Sequence, residues 1–138
     1  MHDVFEIGFR ETISSEALAE FLSEYFHLDK ECIVSEDDYW SEAWEGKERI
    51  GFSVQNSPDG LRTNLSGVSF RAVEDVTLGN MAAEAAGKLR SEAVIGDYRK
   101  LGTEARGKFL SYLPDASIWE AVDASQGLVS DVKILRRI

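Results

Sequence analysis

The densest chemistry in this 138-residue chain lies between residues 36 and 48, where Glu36, Asp37, Asp38, Glu42, Glu45 and Glu48 are interleaved with Tyr39, Trp40 and Trp44. Clustered carboxylates first suggest a divalent cation. A calcium loop, however, needs an oxygen ligand where Tyr39 stands and a glycine where Glu42 stands, so no metal is expected. Two carboxylates could also serve as acid and base on a glycoside, but 25 acidic residues give no way to single out a pair. A contact surface fits the mixture better. Flat aromatic side chains supply much of the energy of protein interfaces at small entropic cost, and surrounding charges steer a complementary partner. The expected partner-binding residues are Glu36, Asp37, Asp38, Tyr39, Trp40, Glu42, Trp44 and Glu45, and the expected target is a basic protein surface. Arg10 or Lys47 is available to pair with some of these acids. The competing arrangement has Trp40 and Trp44, four apart, plugging the sheet while the acids stay solvated.

Other reactive groups are sparse. Gly102-Thr103-Glu104-Ala105-Arg106-Gly107-Lys108-Phe109 follows phosphate-loop spacing until Phe109 replaces the Ser or Thr that must hold Mg²⁺. The stretch after it reads as a strand, where such a loop must open a helix, so a plain basic loop is the better reading. His2 and His27 are the only imidazoles and Cys32 the only thiol, which leaves no zinc spacing. His27 falls at the end of a helix, where a cation complements the dipole. No Gly-x-Ser-x-Gly elbow occurs. No catalytic residue and no cofactor are expected.

The elements that position these residues follow from hydrophobic periodicity. Val4 to Arg10 alternates as a strand, and Ser14 or Ser15 starts a helix in which Ala17/Leu18, Phe21/Leu22 and Tyr25/Phe26 recur every four residues. Cys32-Ile33-Val34 reads as a short buried strand, and Ser35 to Gly46 as a loop with at most one helical turn. Ile50, Phe52 and Val54 lead into the turn Asn56-Ser57-Pro58-Asp59-Gly60 and a strand from Leu61 to Arg71, which is a hairpin. Its apolar residues shift from Leu61 and Leu65 to Val68 and Phe70, predicting a bulge near Gly67. A second helix spans Asp75 to Arg90. Ala93 to Ile95 suggests a strand, Phe109 to Leu113 and Ile118 to Val122 a hairpin around Pro114 to Ser117, and Val129 to Leu135 an edge strand. The expected fold is a single α+β domain over residues 1–138. Its mostly antiparallel sheet has two helices packed on one face, in the order β-α-β-β-β-α-β-β-β.

Composition narrows the function classes. An apolar share of 43% is too high for a disordered chain despite a net charge of −10. Residues 1–48 carry 14 Asp and Glu against 3 Lys and Arg, whereas residues 49–138 are nearly balanced at 11 against 12. A surface with such a one-sided acidic excess repels phosphate backbones and anionic membranes, so neither nucleic acid nor membrane is expected as a partner. The lone cysteine, read as a buried inert thiol, suits a reducing cytoplasm. Neither a secretory signal nor a membrane span is evident in the sequence.

The opening strand and amphipathic helix through Phe26, the acidic aromatic segment Glu36 to Glu45, the Pro58-Asp59-Gly60 hairpin, the Ala-rich helix around Met81 to Leu89 and the closing Leu113-Pro114-Asp115 hairpin together cover most of the chain. In this combination it resembles the small acidic immunity proteins of bacterial contact-dependent growth inhibition and other polymorphic toxin systems. The resemblance implies a cytoplasmic protein that occludes the toxic domain of one cognate effector, often a basic nuclease. The interface varies among such proteins, so the residues named above rest on their own chemistry. The alternative is a regulatory or adaptor domain that binds a basic peptide or subunit, or itself, through the edge strand near Val129 to Leu135. Oligomeric state is left open by the sequence.

Overall fold

The computed structural model describes residues 3–44, 46–99, 101 and 108–138. His2, Glu45, the 102–107 portion of the phosphate-loop-like stretch and the side chain of Glu42 lie outside the described residues.

The first strand, β1 (Asp3–Phe9), buries Phe5, Ile7 and Phe9 on one face and turns Val4, Glu6 and Gly8 to the other. Helix α1 (Ser15–Phe26) starts at Ser14, whose hydroxyl accepts from the Ala17 N–H at 3.1 Å. It ends where His27 adopts a left-handed conformation and the Leu28 N–H returns to the Ser23 carbonyl at 3.0 Å. Leu18, Phe21, Leu22 and Phe26 form its buried stripe. A short 3-10 turn (Lys30–Cys32) leads to β2 (Ile33–Ser35), so Cys32 precedes the strand and is only half-buried. The segment expected as a loop folds into a four-residue helix, α2 (Glu36–Tyr39), and a 3-10 turn (Glu42–Trp44).

The hairpin is formed by β3 (Ile50–Asn56) and β4 (Thr63–Ser69), and α3 (Asp75–Leu89) follows. Four strands then complete the chain: β5 (Ala93–Gly96), β6 (Phe109–Tyr112), β7 (Ile118–Asp123) and β8 (Val132–Arg137). The fold is α+β, with one eight-stranded sheet in the order β2-β3-β4-β1-β5-β6-β7-β8, antiparallel except for the β2–β3 pair. That is one strand more than the expected order β-α-β-β-β-α-β-β-β, and all four strand-like stretches after α3 join the sheet. Phe109 opens β6, so the end of the phosphate-loop-like stretch enters a strand rather than a helix.

Helices α1 and α3 cover one face, where Phe5, Ile7, Phe9, Ile50 and Leu65 pack against Leu18, Leu22, Met81 and the alanines of α3. The Tyr25 hydroxyl donates to the Thr77 carbonyl at 3.1 Å and ties the two helices together. No bulge occurs at Gly67: β4 pairs without interruption with β1 and β3 on either side. The change of buried face has a different cause. Leu65 faces the helices, Gly67 is roofed there by the Phe5 ring, and Val68 is buried on the opposite face beneath Tyr39. A strand covered on both sides loses its alternation without any change of register. The irregularity in the ladder is instead in β7, between Glu120 and Ala121. Among the described residues no helix is long and apolar enough to cross a membrane.

Candidate functional site

The helices leave the other face of the sheet to smaller coverings. At one side lies α2. Its N-cap Ser35 accepts from the Asp38 N–H at 3.1 Å, and Glu36, Asp37 and Asp38 fill the first turn, where negative charge is favourable. Tyr39 is fully buried over Gly51, where an added Cβ would lie 2.6 Å from the Tyr39 Cβ. A glycine on β3 is what lets the ring lie flat on the sheet.

Arg49 fixes this segment from below. Although only 6% exposed, it donates from Nε to the Tyr39 carbonyl at 3.0 Å and from Nη1 to the Trp44 and Lys47 carbonyls at 3.2 and 2.9 Å. Its guanidinium lies 4.3 Å from the centre of the Tyr39 ring and 5.1 Å from that of Phe70. Carbonyl dipoles and aromatic faces thus satisfy a buried cation. Trp40 stands edge-on against Tyr39, with ring centres 4.9 Å apart at 85°, and keeps 58% of its surface exposed. Asp37 and Asp38 are exposed beside it, Glu36 and Trp44 are half-buried, and the backbone of Glu42 lies in the 3-10 turn.

The expected contact residues therefore divide. Asp37, Asp38 and Trp40 share an outward surface with Glu36 at its margin, whereas Tyr39 is a plug in the sheet and offers no surface to a partner. The sequence could not separate Tyr39 from Trp40, because α2 is one turn long and leaves no period to read. Arg10 does not join the acidic segment; it bonds Glu92 at 3.1 Å and Asp131 at 2.5 Å, far along the sheet. Arg71 takes the neighbouring role, gripping Glu48 through Nε at 2.9 Å and Nη2 at 2.7 Å. That hydrogen bonding holds the Glu48 carboxyl below the usual range.

At the opposite side of this face, residues 124–131 fold over the small cluster Leu61, Val94, Ala121 and Val132. This loop is tied to the β3–β4 turn by the Leu61 N–H, which donates to the Ser130 carbonyl at 2.8 Å. Gly60, at φ +68°, approaches the same carbonyl so closely that a Cβ would sit 2.4 Å from it. Between α2 and this loop the sheet is open. Two adjoining hollows of about 370 and 590 Å³ share Glu6, Ser66 and Tyr98 there, and the second also reaches Val73, Asp75 and Leu78 around the start of α3.

No family model, curated protein or solved structure matches this chain. The open face was missed in sequence, although one signal for it was present: the off-face positions Glu6 of β1, Ser53 of β3 and Ser66 of β4 are polar. Among the described residues, no group of three or more His, Cys, Asp or Glu side chains is placed to hold a metal ion.

Proposed function

We propose that this chain is an inhibitor of the immunity type, a cytoplasmic protein that binds a basic toxin domain and blocks it by occlusion. The observation that carries this reading is Trp40, an exposed aromatic propped on the buried Tyr39–Arg49 stack and flanked by exposed Asp37 and Asp38. An exposed tryptophan with a fixed orientation loses little entropy on binding, and adjacent carboxylates without an ion-pair partner among the described residues favour encounter with a basic surface. The one-sided acidity of residues 1–48 extends the same field.

The test is co-expression with the product of the neighbouring gene, scored by cell survival and by binding kinetics of the purified pair. Stoichiometric binding that suppresses toxicity is the expected result. Trp40→Ala should weaken the complex by about 2 kcal/mol or more, chiefly through faster dissociation. The double change Asp37→Lys, Asp38→Lys should slow association about tenfold at low salt, with a smaller effect at high salt. Survival that is independent of this chain would remove the inhibitor reading.

A further inference from the structure

We infer that the open trough of the sheet is the seat of an extended, arginine- or lysine-bearing segment of that basic partner, with Glu6 as its central contact; this rests on the inhibitor reading and adds a second, chemically distinct part to its interface.

The lining of the two hollows carries the argument. Among the described residues it includes the carboxylates Glu6, Glu36, Asp75, Asp123 and Asp131, and no Lys, Arg or His. Two of these acids are already engaged: Asp131 holds Arg10, and Asp123 accepts from the Ser125 N–H at 2.9 Å. Glu6, Glu36 and Asp75 have no ion-pair partner among the described residues. Elsewhere Arg10, Arg62, Arg71, Lys88 and Arg136 each have a carboxylate partner. Glu6 of β1 and Glu36 of α2 thus stand unneutralised beside the hollow, with Asp75 lining it from the first residue of α3.

Their spacing selects the occupant. No group among the described residues brings three such ligands together for a metal ion, so separated cations along a chain fit where one ion does not. The floor suits an extended backbone. Glu6, Ser66 and Ser53 stand opposite one another across β1, β4 and β3, and Gly8, Asn64 and Gln55 form the next row. Ser53 and Ser66 leave room for a main chain and offer it hydrogen bonds, whereas the Leu61 side chain lies over Gly8, where a Cβ would meet it at 2.8 Å, and bounds the trough on that side. At the β5 side Tyr98, 64% exposed, lies over Gly96, where a Cβ would meet its ring at 2.6 Å. It presents an aromatic ring to a guanidinium or ammonium. On the other side Glu36 of α2 completes the wall.

The experiment is an NMR amide titration of the isolated full chain with a glycine-spaced arginine peptide, at about 20 mM and about 150 mM salt. Shifts should centre on Glu6, Ser53, Ser66, Gly96 and Tyr98, weaken with salt, and vanish when citrulline replaces arginine in the peptide. Glu6→Gln should lower the affinity about tenfold, whereas Asp37→Asn with Asp38→Asn should change it about twofold or less. Glu6 is exposed, so its substitution leaves the thermal midpoint in place and the loss is one of binding. Shifts confined to Asp37–Trp40, or none at low salt, would overturn the trough assignment while leaving the inhibitor reading to its own test. Equal shifts with free spermidine would make the occupant a small polyamine. Self-association abolished by Glu6→Gln would make it a second copy, and either outcome overturns the proposed segment. Peptide binding in the trough without neutralisation of any toxin would remove the inhibitor reading alone.

Discussion

The guanidinium of Arg49 joins three backbone carbonyls that lie up to eight residues apart in sequence, from Tyr39 to Lys47. A side chain that replaces so many hydrogen bonds cannot be removed without leaving buried acceptors unpaired. Arg49→Met should therefore destabilise the fold by about 3 kcal/mol in urea denaturation, and Arg49→Lys should rescue little, because a single ammonium cannot match the planar fork. The same variants should weaken partner binding, since Trp40 leans on a ring that Arg49 holds. At this scale the sequence was only partly legible. Its types and spacing located an acidic aromatic segment, but the division into a buried Tyr39 and an exposed Trp40 depends on Arg49, just before β3, and Gly51 within it, both reached only after the segment ends.

Elements with a full period were read closely. Both long helices fall within a residue or so of their expected limits, because Ser14 supplies a cap and the apolar stripe of α1 spans three turns. Strand β4 was misjudged for the reason that makes it central: Phe5 covers it from one side and Tyr39 from the other, so burial ceased to alternate. Both helices also end on a non-glycine residue in the left-handed region, His27 at φ 55° and Arg90 at φ 53°. Such a conformation costs a β-carbon-bearing residue about 1 kcal/mol relative to glycine. His27→Gly and Arg90→Gly should each raise stability by up to about 1 kcal/mol, seen as a higher urea midpoint with an unchanged slope. The edge strand β8, expected near Val129–Leu135, forms at Val132–Arg137 and carries Lys133, Arg136 and Arg137. Those charges discourage edge-to-edge pairing of two copies.

Across the whole molecule, the two faces of the sheet are stabilised differently, one by helices and the other by short coverings, and buried tyrosines occur on both. Burial pushes Tyr25, Tyr39 and Tyr112 above the ordinary tyrosine value of 10.0. The unfolded chain then ionises first as pH rises, so the stability held below about pH 10 should fall as pH climbs through the raised folded values. Urea midpoints measured across the alkaline range should show this decline, with a shallower slope in Tyr39→Phe. The α+β fold class was evident from periodicity. The open face was not, because it arises from residues of β1, β3, β4 and β5 that meet only after folding. The position of β1 also governs the chain during its synthesis. Its neighbours are β4 and β5, with Phe5 opposite Gly67 and Gly8 opposite Val94. At about 5–20 residues per second, a ribosome needs on the order of 10 s to make the intervening chain. For that interval both edges of β1 lack their partners, and α1, made immediately afterwards, is the one nearby element able to shelter Phe5, Ile7 and Phe9 from aggregation or chaperone capture.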